Sequence, residues 1–440
     1  MDLSKIELPK TGHSRFYIGL TLFFIIVFLR NVLLIPIPVV TVLVLNVCLI
    51  FVFSVEEIVA LFVCYIPLEA TFQFKYGILV CVAAFLIKNK FKLHGIGKSY
   101  GFWIILMMVW ELFHFVIVDF SINEYFRSIA ELAFLFLVVM HGEKFDFKVI
   151  SKCLVITTCF IGTSMLLNLM LKNGFSFSSV FLVQDYRLGV INENIGISNL
   201  NYNANQLGFI FCLSILTQLI KITKLKSTAT DYILLFYLVF LGLLTKSRSF
   251  LVCLLFSFLL YIIFQMNKGN SNRRTNVYRV LLLCLTFAIL INIFAPGIIG
   301  QYIDRFSVDD VSNARNNIFS SYHSLIKNGP LVMLFGLGLQ NLTDKISILY
   351  GIDMIQVPHN GFQQILVMWG IPGLVMFAIF LKDMIQYDMV KKDKILHMSL
   401  LLLMILSCMF GQLIDNSTKL MSLTYILVLM RYDFEDEYVC

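Results

Sequence analysis

The sequence predicts an all-α membrane protein with about twelve to fourteen transmembrane helices, organised as one integral membrane domain over residues 1–440. Two observations lead to this prediction. Hydrophobic residues make up 59% of the 440 residues and charged residues only 14%, which is typical of a multi-pass membrane protein and excludes a soluble domain. The apolar residues also run in long stretches without strand-like alternation, which excludes a transmembrane β-barrel.

Apolar segments recur along the whole chain. Each is long enough to cross, or nearly cross, a hydrocarbon core of about 30 Å at about 1.5 Å per residue. They cover residues 16–34, 38–54, 57–71, 75–87, 101–118, 126–140, 150–171, 206–220, 232–245, 249–266, 280–295, 361–381, 395–412 and 419–430. The third, fourth and ninth are short, so the number of spans stays open. The first has no small-residue cleavage site after it, so we expect a membrane span and not a cleaved signal peptide.

Basic residues predict the orientation of the helices. With about fourteen spans, the Lys and Arg of the N-terminus and of the short loops after residues 87, 140, 220, 266 and 381 all lie on one side. Positive charge in short loops favours the cytoplasmic side, so we expect both termini in the cytoplasm. The net charge of +7 follows from these loops, and we expect no nucleic-acid partner.

The same alternation places two long loops outside, residues 172–205 and 296–358. Loops on a rigid scaffold often carry binding and catalytic residues, so we expect the chemistry there, with 296–358 lying over the active site. In this larger loop, Ser312–Asn328 has the period of a short amphipathic helix that ends at Gly329-Pro330. One face of that predicted helix carries Arg315, Phe319, Tyr322 and Ile326.

Two arginines are candidates for binding a phosphate group. Arg315 would lie in the first turn of its helix, where an anion is favoured, although an acidic neighbour, Asp309 or Asp310, is an alternative partner. Arg248 lies in the turn Lys246-Ser247-Arg248-Ser249, which joins two spans without a proper loop. It either faces a polar cavity inside the protein or contacts lipid headgroups.

The loop 172–205 carries further polar candidates. Arg187 is a third arginine that can contact phosphate, with simple solvation as the alternative. Asn203 and Asn205 stand at the outer start of a span. Their amides can form hydrogen bonds either to sugar hydroxyls or to the loop backbone.

His359 lies where the larger loop returns to the membrane. Pro358 disfavours helix before it, and Asn360 with Gln363 resembles a capping box at the start of the next helix. An imidazole at such an interface can act as a base at physiological pH. The alternative is a histidine that only caps or anchors the helix. Farther along the same helix, Gly370-Ile371-Pro372-Gly373 predicts a kink and close packing.

Glu111 and His114 lie three residues apart, on one face of a predicted span. Such a pair can form a proton path or a purely structural contact, and both interpretations stay open. The ten cysteines lie almost entirely inside apolar runs, without CxxC or paired histidine spacing. We interpret them as small buried hydrophobic residues and expect neither a metal site nor a cofactor.

Four stretches of the chain resemble motifs of the superfamily of O-antigen polymerases and O-antigen ligases of bacterial envelopes. They are Asn203-Ala204-Asn205-Gln206 at the start of a central span, Ser247-Arg248-Ser249 in a short turn, Arg315…Pro330…Gly336-Leu337-Gly338 in the large outer loop, and His359-Asn360…Gly370-Ile371-Pro372-Gly373 at the start of the next helix. The similarity extends over residues 190–382, and the last two stretches are its more specific part.

This resemblance implies a multi-pass glycosyltransferase of the bacterial inner membrane that needs no metal. Its donor and acceptor would be undecaprenyl-diphosphate-linked glycans, with membrane lipid and a chain-length regulator protein as further partners. His359 would be the base that activates an acceptor hydroxyl. The diphosphate leaving group would be bound by Arg248 and Arg315, with Arg187 as a further contact. Weaker contacts to the glycan would come from Asn203, Asn205, Asn360 and Tyr322.

The superfamily contains polymerases, which join two lipid-linked repeat units, and ligases, which transfer the glycan to the lipid A core. Gly361 follows Asn360 in this chain, so the His-x-His-Asn-Glu form of some ligases is absent. This favours a polymerase, with O-antigen of lipopolysaccharide or a capsule as the product. A transporter or flippase of lipid-linked sugars, acting through Glu111 and His114, is an alternative of another class. Transporter sites usually lie near the bilayer midplane, whereas the candidate residues of this chain collect at the outer face.

Overall fold

A computed structural model describes most of the chain. The described residues are 13–68, 75–92, 99–118, 122–141, 145–172, 187–188, 204–225, 227–267, 275, 277–282, 285–286, 289, 300–304, 310–339, 342–351, 358, 360–388, 394–409 and 417–432. Regular structure in these residues is helical throughout, as the composition predicts.

The helices are numbered in chain order. Their bounds are α1 Ser14–Asn31, α2 Val39–Val52, α3 Val55–Leu68, α4 Lys75–Lys88, α5 Ser99–Val118, α6 Ile122–His141, α7 Phe147–Lys172, α8 Ala204–Lys224, α9 Ala229–Leu244, α10 Arg248–Asn267, α11 Asp310–Asn328, α12 Pro330–Phe335, α13 Leu342–Tyr350, α14 Gly361–Asp388, α15 Lys394–Met409 and α16 Ser417–Arg431. Each predicted apolar segment coincides with one of them, except 280–295, most of which lies outside the described residues.

Five helices of the described part are long and apolar enough to cross a membrane. They contain the stretches Ser14–Asn31, Tyr100–Ile117, Phe147–Leu171, Ala204–Lys224 and Gly361–Gln386. Shorter apolar helices accompany them, for example Ala229–Leu244 and Arg248–Ile263. The chain is therefore a multi-pass membrane protein, as predicted. The total number of spans and the orientation of the termini stay predictions.

The central helix of the bundle is α8. It packs against α7, α9, α10 and α15, and 89% of it is buried inside the protein, as expected for a helix that is apolar on every side. Hydroxyl groups join α8 to its neighbours: the Thr158 and Ser214 oxygens are 2.7 Å apart, as are those of Thr217 and Tyr425. Such bonds between helices help to fix packing where water is absent.

Contacts at the helix ends agree with the predicted alternation of the helices. His13 Nδ1 lies 3.0 Å from Glu57 Oε1, and Arg431 donates a hydrogen bond to Val138 O at 2.7 Å. In both pairs, the two residues belong to segments predicted on the same side of the membrane. The contacts therefore support the pairing of helix ends, whereas the side that each end faces stays a prediction.

The larger predicted outer loop contains three helices, α11, α12 and α13. The first begins at Asp310, earlier than predicted, so Arg315 lies in its second turn and not in its first. Of the residues predicted to share one face of this helix, Tyr322 is buried, whereas Phe319 is about half exposed. Leu325 is buried together with Tyr322, so the buried side of the helix includes position 325 in place of position 319.

Candidate active site

A tight polar turn connects α9 and α10, as the sequence predicted. Thr245, Lys246 and Ser247 fill the gap between the two helices, and all three are completely buried. Lys246 has a positive φ of 48°, and its N–H donates to Leu243 O at 3.0 Å. This buried turn places Arg248 at the first position of α10, where its side chain is partly buried.

Arg187, from the loop 172–205, binds this turn. Its Nε donates to Thr245 O at 3.1 Å, and its Nη2 is 3.4 Å from Lys246 O. The neighbouring Leu188 N donates to Leu244 O at 3.0 Å. The carbonyls at the C-terminal end of α9 carry partial negative charge, so a guanidinium is favoured there. Arg187 is therefore anchored to the turn, in contrast to the simple solvation that was its alternative.

Asn205 binds the same turn from the start of α8. Its Oδ1 accepts hydrogen bonds from Ser247 Oγ at 2.8 Å and from Ser249 Oγ at 3.0 Å. The two helices approach closely at Gly208, where an added Cβ would lie 3.0 Å from Phe250 Cβ. Neither alternative from the sequence, sugar or loop backbone, describes these bonds, because the partners are two serine hydroxyls.

A fourth part of the chain reaches the turn from the beginning of the larger loop. Tyr302, which is buried, donates its hydroxyl to Leu243 O at 2.9 Å. We call the assembly of Arg187, Asn205, residues 245–249 and Tyr302 the polar turn cluster. It brings together two of the three candidate phosphate-binding arginines, Arg187 and Arg248, although they are far apart in sequence.

The start of α14 carries the next predicted site residue. Asn360 caps this helix as predicted, because its Oδ1 accepts hydrogen bonds from Phe362 N at 3.0 Å and Gln363 N at 3.1 Å. The second half of the predicted capping box was wrong: Gln363 Nε2 donates to Phe319 O at 3.1 Å and so fastens α11 to α14. A glycan contact by Asn360 stays a prediction and would use its amide nitrogen.

Several predicted site residues are not described in full. His359 and Asn203 lie outside the described residues, as does the side chain of Arg315. The predicted approach of Arg248, Arg315 and His359 around one substrate therefore stays a prediction. Tyr322 is described, and its side chain is completely buried, so a glycan contact there would require it to become accessible.

Glu111 is a residue whose contacts sequence reasoning missed. The sequence pairs it with His114, one turn away on α5. In the structure, each contacts the larger loop: Glu111 accepts a hydrogen bond from Leu339 N, and His114 Nε2 lies 2.7 Å from Phe335 O. The two polar residues on one face of an otherwise apolar helix indicated that this face has a polar partner. They could not identify that partner, Leu339, which lies more than 200 residues away in the chain.

One stretch of the chain, which contains much of this site, matches a known protein family. Residues 233–378 match the family model described as O-Antigen ligase. This stretch is a domain of the O-antigen ligase/polymerase family. Members of the family are membrane glycosyltransferases that transfer lipid-linked glycans. The resemblance is therefore confirmed for residues 233–378, which contain three of the four stretches, whereas Asn203-Ala204-Asn205-Gln206 lies before the match. No curated protein matches the chain.

The O-antigen ligase/polymerase domain runs from α9 through most of α14. It contains Arg248, Arg315 and His359, whereas Arg187 and Asn205 precede it. Both preceding residues nevertheless bond to the polar turn inside the domain. The site is therefore assembled from the domain together with residues just before it.

Proposed function

We propose that this protein polymerises polyprenyl-diphosphate-linked oligosaccharide repeat units into an O-antigen or capsule-type polysaccharide at the outer face of the cytoplasmic membrane. The observation that carries the proposal is the O-antigen ligase/polymerase domain over residues 233–378, which contains Arg248 at the polar turn. A ligase that transfers the same glycan to the lipid A core is the nearest alternative.

The polar turn cluster has the charge that a diphosphate leaving group requires. Arg248 lies at the N-terminal end of α10, where the helix macrodipole adds to its positive charge. Arg187 donates a hydrogen bond to Thr245 O of the same turn. When the bond between sugar and diphosphate breaks, negative charge grows on the leaving oxygen. Cations fixed beforehand at this position stabilise that charge, and arginine does so with a planar fork of donors.

His359 supplies the base in this proposal. The acceptor hydroxyl attacks the anomeric carbon of the donor, the bond from that carbon to the diphosphate oxygen breaks, and the hydroxyl proton passes to His359. The lipid diphosphate leaves with both electrons of the broken bond. Asn360, next in the chain, is held as the cap of α14 by two hydrogen bonds, which supports a fixed position for its neighbour.

Two features favour the polymerase over its alternatives. Gly361 follows Asn360, unlike the ligase form with a glutamate after the asparagine. The predicted topology puts the partly buried Arg187 and Arg248 of the polar turn at the outer face, whereas transporter sites usually lie near the bilayer midplane. Both termini are cytoplasmic in this proposal, and the larger loop lies over the site on the outer face.

The product formed by the purified protein tests the proposal. Proteoliposomes would receive lipid-linked repeat units extracted from the bacterium that carries this protein, with and without lipid A core as a second acceptor. We expect a ladder of longer lipid-linked glycans in both cases. Glycan attached to lipid A core without a ladder would instead identify a ligase. Movement of the lipid-linked unit between leaflets without a new glycosidic bond would identify a transporter.

A further inference from the structure

The helix α14 is broken at Gly370, whose angles of φ 67° and ψ −168° are not helical. A break of this kind frees the preceding carbonyl groups from their helical partners. Pro372 contributes as well, because it has no N–H for Met368 O, the carbonyl four residues earlier. The carbonyls of residues 367–369 therefore need donors from elsewhere, since unsatisfied polar groups are costly inside a membrane protein.

Each of these three carbonyls receives a donor from another part of the chain. Leu337 N donates to the carbonyl of Val367 at 2.9 Å, and Gly338 N donates to the carbonyl of Met368 at 2.7 Å. Trp110 Nε1, on α5, donates to the carbonyl of Trp369 at 2.9 Å. A segment of the outer loop and one side chain of α5 thus replace the hydrogen bonds that the kink removes.

This close contact depends on glycine at two positions. A Cβ at Gly336 would lie 2.3 Å from Met368 O, and a Cβ at Gly370 would lie 2.7 Å from Leu334 O. Both glycines also have a positive φ, which residues with side chains rarely adopt. The Gly-x-Gly and Gly-Ile-Pro-Gly motifs are therefore two sides of one contact. We call residues 336–339 and 367–370, with the side chains of Trp110 and Glu111, the α14 joint.

Glu111 connects both sides of the joint. Its Oε1 accepts a hydrogen bond from Leu339 N at 3.0 Å, and its Oε2 accepts one from Trp369 Nε1 at 2.8 Å. The side chain is only 3% exposed. Hydrogen bonds to a carboxyl group in such a dry environment are among the stronger ones in proteins. One side chain of α5 therefore fixes the loop and the kinked helix relative to each other.

Two neighbouring side chains hold the same loop segment. His114 Nε2 lies 2.7 Å from Phe335 O, and Lys345 Nζ donates to Leu337 O at 2.9 Å. Both side chains are nearly completely buried. The loop thus has buried polar partners on both sides of Gly336, and Glu111 extends this set of contacts across to α14 through its bond to Trp369.

We propose that Glu111 is a positioning residue for the active site: it fixes the N-terminal half of α14, residues 361–369, relative to the outer loop. Asn360 caps this half, and His359 directly precedes Asn360 in the chain. A base must lie within hydrogen-bond distance of its substrate, and a shift of about 1 Å can cost about 100-fold in rate. The inference rests on the proposed function, because it needs His359 to take part in transfer.

The substitution Glu111→Gln tests this role. Glutamine keeps the shape and one acceptor oxygen, but its NH₂ group then faces an N–H donor, so one of the two hydrogen bonds is lost. In the proteoliposome assay, we expect kcat to fall about 10- to 100-fold and KM for the lipid-linked donor to stay within about twofold. W369F removes the indole N–H and breaks the same contact from the α14 side, so we expect it to lower kcat as well. The double variant E111Q/W369F should lose little more than the larger of the two single losses, because both changes remove one contact.

Glu131→Gln is the matched control, because Glu131 is an equally buried acid (3% exposed) on α6, outside the joint. We expect its kcat per folded molecule to stay within about twofold of wild type. Full kcat in E111Q, an equal loss in E131Q, or a loss in the double variant as large as the product of the two single losses would overturn the inference. Absence of transfer by the wild-type protein would overturn the proposed function instead. If E111Q does not accumulate, W369F alone must lower kcat at unchanged KM.

Discussion

The polar turn cluster lies where one helix ends and the next begins, and the α14 joint lies where a helix is kinked. Different groups stabilise the two regions. In the cluster, arginine, serine and asparagine side chains surround a turn whose backbone carbonyls bind Arg187. In the joint, the freed carbonyls are satisfied by loop N–H groups and Trp110, and Glu111 bridges the two sides. The cluster collects positive charge, whereas the joint fixes geometry. We therefore expect substitutions in the cluster to weaken donor binding and substitutions in the joint to slow transfer.

The largest effect is expected for His359→Ala, next to the end of α14 that the joint positions. Without a base, chain extension should stop while the protein still inserts and accumulates, because Asn360 caps the helix independently. The measurement is a glycan gel of cells that carry the variant, with an immunoblot for the protein. A normal ladder of chain lengths would contradict the assignment of the base, and a loss of protein would favour the helix-anchor interpretation.

The next largest effect is expected for Arg248→Lys and Arg315→Lys. Lysine keeps the charge but cannot form the fork contact to a diphosphate, so we expect a loss of about 10- to 100-fold in polymer formation at either site. Lys327, exposed on the same helix as Arg315, is the control, and Lys327→Ala should have little effect. Full activity in both arginine variants would contradict a fork contact to the diphosphate and would leave only a nonspecific electrostatic role for the two arginines.

The joint makes a prediction about stability. Gly336→Ala should cost more than Gly351→Ala, although both positions have a positive φ. An added Cβ meets Met368 O at Gly336 and meets nothing within 4 Å at Gly351. A left-handed φ costs a residue with a side chain about 1–2 kcal/mol. Gly336, at φ 79° and ψ −175°, lies in a region almost restricted to glycine, and the clash with Met368 O adds to that cost. Thermal unfolding in detergent measures both, and equal shifts in the two variants would contradict the close contact.

The smallest effect is expected for Asn205→Asp, in the polar turn cluster. Aspartate keeps the oxygen that accepts from Ser247 and Ser249, so stability should change little. It adds a negative charge beside the proposed diphosphate site, and we expect donor affinity to fall about three- to tenfold. Asn205→Gln is the neutral comparison. An unchanged affinity in the aspartate variant would place the diphosphate elsewhere.

The two regions also differ in how much the sequence predicts. The turn at Lys246-Ser247-Arg248-Ser249, the cap at Asn360 and the kink at Gly370 are local features, and the structure confirms all three. Their tertiary partners were not predictable, because periodicity and capping describe neighbours along the chain. The bond of Gln363 to Phe319 O is one example. The local pattern favoured a capping box, in which the Gln363 side chain accepts from Asn360 N–H, but in the packing of α11 on α14 its amide nitrogen donates to Phe319 O.

Glu111 shows the same limit more clearly. Its spacing to His114 predicts a shared helix face, which is correct, but not that Leu339 and Trp369 lie opposite that face. The two glycine motifs were visible in the sequence as separate signals. Only the structure shows that the two motifs are in contact. The kink in α14 leaves three carbonyl groups without helical donors, and nothing in the sequence of the loop indicates that its N–H groups bind them.

Donor affinity compared between the two regions tests the central claim most directly. The equilibrium Kd of the purified protein for its lipid-linked donor would be titrated in detergent, in the His359→Ala background so that no turnover occurs, with Arg248→Lys and Glu111→Gln added separately. We predict that Arg248→Lys raises Kd at least about tenfold, whereas Glu111→Gln leaves it within about twofold. An equal loss of affinity in both, or a loss only with Glu111→Gln, would contradict the division between a binding cluster and a positioning joint.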